Sequence, residues 1–161
     1  MNFYVINLDR SPQRWVDTSK ALSDLGIQAI RVPAVDGKSV ASEHWMPAFD
    51  APKFRFCHGV DALPGEYGCY ASHLAAISTF LETSEETCVI FEDDVLPLDA
   101  MIAVVDHLNA HHASSPILVR LVTHRIEFYE PLLKMPEGRS LGQCWFGPSG
   151  SAAGYWLTRA A

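Results

Sequence analysis

The feature that most restricts the fold is a strand, a helix and a second strand packed into about the first thirty residues. Phe3 to Leu8 is a short apolar run bounded by Asp9-Arg10-Ser11-Pro12, the pattern of a buried strand that feeds a helix. Ser11 is placed to cap that helix and Pro12 suits its first position; Trp15, Thr18, Leu22 and Leu25 recur at helical spacing, and Gly26 closes it. Ile27 to Val32 then reads as a strand. Strand, helix, strand over this length is a βαβ unit. The chain is therefore expected to be an α/β protein, and the loop from Asp9 to Ser11 to lie at the carboxyl end of the first strand, where open α/β sheets bind ligands.

Further elements follow along the chain. Residues 33 to 60 are punctuated by Pro33, Pro47, Pro52, Gly37 and Gly59 and read as irregular. A helix is expected from Pro64-Gly65 to about Glu82, burying Tyr70, Leu74, Ile77 and Leu81, with Glu66, Cys69 and His73 on another face. Cys88-Val89-Ile90-Phe91 is the most apolar strand candidate. Met101, Ile102, Val105 and Leu108 mark a third helix, Ile117 to Val122 a strand, and Tyr155-Trp156-Leu157 a last strand after the small-residue loop Gly147 to Gly154. No repeat or linker divides the 161 residues, so residues 1 to 161 are expected to form a single domain.

Charge adds a second constraint. The net charge is −7, yet residues 1 to 56 carry a net +1 and residues 114 to 161 a net +2, while residues 57 to 113 hold ten acids and no Lys or Arg. A pI near 5.4 excludes the clustered basic surface of a nucleic-acid binder. The longest apolar runs, such as Met101 to Val105, are far too short to span a bilayer. Cys57, Cys69, Cys88 and Cys144 form no CxxC pair and read as free thiols. With no signal-peptide pattern at Met1 to Leu8, a cytoplasmic protein is expected.

Within the acidic stretch, Glu92-Asp93-Asp94 follow the most apolar strand directly. Side chains alternate along a strand, so Glu92 and Asp94 are expected to leave one side and Asp93 the other. Two carboxylates at a rigid strand end make an oxygen-ligand site for Mg²⁺ or Mn²⁺. Such an ion completes its shell with water and phosphate oxygens, so the implied substrate is a phosphate ester or a nucleotide. The plain alternative is a solvated turn after a strand.

Read with what precedes it, the triplet carries a family likeness. Gly65-Glu66-Tyr67-Gly68-Cys69-Tyr70-Ala71-Ser72-His73 followed by Val89-Ile90-Phe91-Glu92-Asp93-Asp94-Val95 resembles the paired G-E-x-G-C-x-x-S-H and [LI]-[IF]-E-D-D signatures of glycosyltransferase family 25. Val5 to Arg14 is similar to the family's first strand and its L-x-R-x-x-x-R loop, Ala34-Val35-Asp36-Gly37 to its A-x-D-G turn, and Gly154 to Ala161 to a later strand and helix start. The family includes lipopolysaccharide and lipooligosaccharide sugar transferases and relatives that galactosylate collagen. The resemblance implies a GT-A-like, Rossmann-type mixed sheet flanked by helices. It also implies inverting transfer of a hexose, often galactose from a UDP-sugar, to a glycan or glycolipid acceptor, with attachment to the inner membrane only through that acceptor or partners. Carried over by motif, Asp94 with Glu92 would hold Mn²⁺ or Mg²⁺, and Leu8, Arg10, Arg14, Glu66, Ser72, His73, Glu92 and Asp93 would contact the donor.

Other readings stand beside this one. Cys69 and His73, one helical turn apart, could form half of a zinc site with Cys57-His58, although the spacing is not that of a finger or ribbon; packed or hydrogen-bonded residues are the plainer account. His107, His111 and His112 sit at a polar helix end where solvation is expected. No residue identifies itself as the base an inverting transferase needs; Asp36, Glu127 and Glu130 are candidates only as acids in expected loops. Thr158 to Ala161 looks like the start of a helix that family members continue, so a C-terminally truncated acceptor side is expected, and with it a nucleotide-sugar-binding domain without turnover as one alternative. A metal-dependent phosphohydrolase ranks lower, because the chain has no phosphate-cradling glycine loop.

Overall fold

In the computed structural model, which describes residues 1–122, 128–146 and 151–161, the opening segments form the expected unit. Strand β1 (Asn2–Asn7) leads to helix α1 (Pro12–Asp24) and returns in strand β2 (Ala29–Pro33), paired parallel to β1 with Tyr4 opposite Ile30. Pro12 starts the helix as expected, but the Ser11 hydroxyl makes no capping bond. The Ser11 carbonyl instead accepts from the side chain of Asn7, which draws the turn back against the strand end.

Residues 33 to 60 are more ordered than their prolines suggest. Helix α2 (Ala51–His58) has Asp50 as its cap, accepting from the Lys53 N–H at 2.9 Å, Pro52 in its first turn and Gly59 at φ 74° beyond its end. The punctuation is that of a short helix: proline costs nothing where the N–H has no partner, and glycine takes the left-handed closing position freely.

Helix α3 (Pro64–Leu81) and strand β3 (Thr87–Glu92) follow, with β3 parallel to β1 on the side away from β2. The buried face of α3 differs from the expected one. It is Tyr67, Gly68, Ala71, Ser72, Ala76 and Phe80, whereas Leu81 is 48% exposed and Tyr70, Leu74 and Ile77 are half-buried. Small residues win because the helix backbone lies against another backbone. A Cβ on Gly68 would meet the Val35 carbonyl oxygen at 2.7 Å, and one on Gly37 would meet the Pro64 carbonyl oxygen at 1.7 Å.

Helix α4 (Asp99–His112), strand β4 (Leu118–Arg120), a hairpin of β5 (Phe128–Lys134) and β6 (Ser140–Phe146), and strand β7 (Gly154–Thr158) complete the described α-helices and strands. The five-stranded sheet has the order β2-β1-β3-β7-β4, with β7 antiparallel to both β3 and β4. It is a mixed sheet flanked by helices, the Rossmann-like arrangement of a GT-A fold. The hairpin has no counterpart in the sequence reading, because Pro131 and the Leu132-Leu133 pair break strand alternation. Residues 159 to 161 form a turn, not a helix. Among the described residues no helix is long and apolar enough to cross a membrane.

Alternation along the strands divides the core in two. Phe3, Val5, Val89, Phe91 and Trp156 face Leu22 of α1 and Val105 and Leu108 of α4. Tyr4, Ile6, Cys88, Ile90, Tyr155 and Leu157 face Ala76 and Phe80 of α3. Full burial of each large side chain is worth about 1.5–3 kcal/mol, enough to hold the sheet rigid beneath whatever its carboxyl edge carries. Arg159 fastens the far end, donating from Nε to the Glu85 carbonyl at 3.0 Å and stacking over Phe80 at 5.1 Å.

Candidate functional site

The parity that sorts the core also aims the acidic residues. Glu92 continues the Cys88–Ile90 face and turns toward α3; Asp93 continues the Val89–Phe91 face and turns toward α1. Thus Glu92 Oε1 lies 3.0 Å from His73 Nε2 and 3.6 Å from Cys69 Sγ. Asp93 Oδ2 accepts from Asn7 Nδ2 at 2.6 Å, and its Oδ1 lies 3.3 Å from an Arg14 nitrogen. The chain turns immediately afterward, closed by the Val95 N–H on the Glu92 carbonyl. Asp94 therefore sits in the turn, exposed, with no hydrogen-bond or ion-pair partner among the described residues.

These groups border one cleft of about 210 Å³ at the carboxyl edge of β1 and β3. That is below the roughly 300–1,000 Å³ of enclosed small-molecule pockets, so a ligand larger than a sugar or a diphosphate must extend along its open side. Leu8, Arg10, Arg14, Ser72, His73, Glu92, Asp93 and Asp94 all line it. Glu66 does not: it stands at the third position of α3, where its carboxylate accepts from the Leu63 N–H at 2.6 Å and closes the helix start.

Ser72 reaches the cleft as a structural pin. Its buried hydroxyl donates to the Gly68 carbonyl at 2.6 Å and accepts from the Val35 N–H at 2.8 Å. With the Gly37 and Gly68 contacts, it fuses the Ala34–Gly37 turn to α3. Arg10 pairs with Asp36 of that turn, and the Asp36 side chain also accepts from the Lys38 N–H at 3.1 Å. The two arginines thus approach from the α1 side, Arg14 reaching Asp93 and Arg10 the Asp36 turn, each half-exposed and held by one carboxylate.

Asn7, which the sequence reading passed over, organises the α1 side. It is 1% exposed; besides Asp93 it donates to the Ser11 carbonyl at 2.9 Å, and it accepts from Arg31 Nε at 2.8 Å. A polar residue ending an otherwise apolar buried strand was the available signal, since such a group must find partners. Tyr155 is the other addition: its hydroxyl lies 2.9 Å from His73 Nδ1.

Electrostatics follow from these contacts. The hydrogen bond from His73 holds the Glu92 carboxyl below its ordinary range, against the opposing pull of burial. Burial, then the Glu92 charge, pushes the Cys69 thiol up to about 11. Burial drives the Tyr155 phenol up as well, so it stays protonated.

For a hard cation, Asp94 offers an uncommitted oxygen donor of the kind Mg²⁺ or Mn²⁺ takes, whereas Glu92 is turned toward α3 and could add a second oxygen only by giving up its contacts to His73 and Cys69. The remaining candidates lie elsewhere. Cys57 and His58 are at the end of α2, with His58 stacked on Phe54 at 4.2 Å, and they do not join Cys69 and His73. Glu130 accepts from Trp145 Nε1 at 2.8 Å on the hairpin, and Glu127 and residues 147–150 lie outside the described residues. His107 and His111 stack on each other at 4.2 Å along α4.

Comparison with known proteins identifies a matching family and several relatives. The family model for glycosyltransferase family 25 (LPS biosynthesis protein) matches residues 1–137. A glycosyltransferase 25 family member of Drosophila melanogaster is 29% identical over 99 residues, which is 57% of this chain and 16% of the fly protein. The Aedes aegypti counterpart is 27% identical over 101 residues (58% and 16%), and a rat protein described as a probable inactive glycosyltransferase 25 family member 3 is 31% identical over 99 residues (57% and 17%). The matched segment thus spans about one-sixth of each relative's length.

Proposed function

The chain belongs to glycosyltransferase family 25, and we propose that its cleft binds a UDP-hexose through a divalent cation and delivers the hexose, with inversion, to a glycan or glycolipid acceptor of the lipopolysaccharide type. The observation that carries this reading is the exposed, unpartnered Asp94 in a cleft that Arg10 and Arg14 also line.

Asp94, with Glu92 as second oxygen donor, would hold Mn²⁺ or Mg²⁺; the ion's contribution is to offset charge on the departing nucleoside diphosphate. Arg10 and Arg14 are half-exposed, so either can exchange part of its present pairing for a phosphate oxygen, and a planar guanidinium suits phosphate geometry. Asp93, half-buried between Asn7 and Arg14, sets where Arg14 stands. Leu8 supplies apolar wall at the end of β1, and Ser72 keeps the Val35–Gly37 turn in place. The test is UDP release from UDP-galactose and other UDP-hexoses over a panel of glycan acceptors, with and without Mn²⁺. Release that depends on acceptor and metal and is lost in Asp94→Ala is expected; metal-independent release in both proteins would refute the role of Asp94.

A second reading is a donor-binding domain without turnover. The match to mammalian relatives described as inactive favours it. Calorimetric binding of a UDP-hexose combined with no UDP release over the same panel would establish it.

A further inference from the structure

We propose that Cys69, His73 and Glu92 form a zinc site, with three protein ligands and a fourth position open to the cleft. Cys69 and His73 stand four residues apart on α3, so their side chains leave the same helix face, and the alternation of β3 brings Glu92 to meet them. Their ligand atoms all lie within 4.8 Å of one another, with Oε1 of Glu92 3.6 Å from Cys69 Sγ and 3.0 Å from His73 Nε2. In tetrahedral zinc with bonds of about 2.3 Å to sulfur and about 2.0 Å to nitrogen or oxygen, neighbouring ligand atoms sit roughly 3.2–3.6 Å apart. The two cleft-side separations therefore match a coordination sphere to within a few tenths of an ångström.

Ligand chemistry selects the ion. Sulfur, imidazole and one carboxylate suit zinc and exclude magnesium, which takes an all-oxygen set. A second contact supports the assignment. The Tyr155 hydroxyl, 2.9 Å from His73 Nδ1, anchors the ring on its far side and leaves Nε2 for the metal, as outer partners of ligating histidines do. On binding, the Cys69 thiol gives its proton to solvent as the sulfur–zinc bond forms; His73 binds as the neutral ring and Glu92 as the carboxylate. The three ligands line the cleft, so the open position takes water or a donor atom of a bound ligand. This inference does not rest on the UDP-hexose reading, because Asp94 and the arginines take no part in it. It does imply that zinc draws Glu92 away from a hard cation on Asp94.

The test uses the full chain, stripped with a chelator, kept reduced with a phosphine and titrated first with Co²⁺ as a spectroscopic substitute. A thiolate-to-cobalt charge-transfer band with the intense visible bands of a tetrahedral site is expected, bleached by one equivalent of Zn²⁺. Cys69→Ala removes the band and His73→Gln weakens zinc binding by more than the roughly 10–100-fold that outer partners cost. Cys57→Ala, Cys144→Ala and Asp94→Ala leave the band in place. Cys69 is exposed, so its alanine variant is expected to fold, which circular dichroism checks. No charge-transfer band in the folded native chain, or a band that survives Cys69→Ala, overturns the proposal; loss of zinc binding in Cys69→Ala with UDP binding unchanged separates it from the function proposed above.

Discussion

Replacing Asn7 by leucine removes a buried polar hub while keeping the same number of side-chain heavy atoms and the same branching. Asn7 is 1% exposed and its side chain makes three hydrogen bonds: to Asp93 Oδ2 at 2.6 Å, to the Ser11 carbonyl at 2.9 Å, and from Arg31 Nε at 2.8 Å. The two bonds to charged groups, Asp93 and Arg31, are each worth about 1.5–3 kcal/mol and the neutral one about 1 kcal/mol. Arg31 retains Asp9 at 2.6 Å, and Asp93 retains Arg14 at 3.3 Å, so neither charge is stranded outright. The added apolar burial offsets roughly 1 kcal/mol. A net loss of at least about 3 kcal/mol is expected, equivalent to a fall in Tm of about 6–12 °C or more for a domain of this length. Urea unfolding followed by tryptophan fluorescence measures it, with Gln13→Ala on exposed α1 as a control expected within about 0.5 kcal/mol of the native chain. A loss below about 1 kcal/mol for Asn7→Leu would refute the view that Asn7 holds the turn, Arg31 and Asp93 together.

Two further outcomes bear on the same architecture. Gly37→Ala places a methyl 1.7 Å from the Pro64 carbonyl oxygen; since backbone must move, a cost at or above the usual 1–3 kcal/mol of overpacking is expected, whereas Gly65→Ala, which meets nothing within 4 Å, is expected to be neutral or slightly stabilising by chemical denaturation. The lowered carboxyl of Glu92 sets a pH dependence: its contribution is complete above the unfolded value of about 4.3 and disappears as pH falls through the lower folded value. Glu92→Gln should therefore flatten the acid limb of a urea midpoint profile measured from pH 6 downward, and an unchanged limb would deny the His73–Glu92 bond its role.

Much of this architecture is legible in the sequence because local signals and global fold agree. The β1–α1–β2 unit is written in apolar runs separated by Pro12 and Gly26, and β3 in four apolar residues ending at the acids. Period-two alternation separates Glu92 from Asp93 correctly, but it ceases at the turn, so Asp94 does not share the Glu92 direction as a strand residue would. The face of α3 was hidden for a different reason: apolar periodicity favours large residues, while close backbone approach buries Gly68, Ala71 and Ser72. Glu66 illustrates the ambiguity of a motif position, since an acid three residues into a helix serves the helix start as readily as a ligand. The meeting of Cys69 and His73 with Glu92 joins residues 19 or more positions apart. Only the packing of α3 on β3 brings them together.

Thermal unfolding with UDP and Mn²⁺ tests most directly the proposal that Asp94 holds the cation of a nucleotide-sugar donor in this cleft. At a ligand concentration about 100 times the dissociation constant, binding stabilises by about 2.7 kcal/mol, so a rise in Tm of roughly 5–11 °C is expected when UDP and Mn²⁺ are present together. Asp94→Ala, which alters an exposed side chain, should unfold within about 2 °C of the native chain without ligand and should lose that rise. An equal rise in both proteins, or none in the native chain, would contradict the claim.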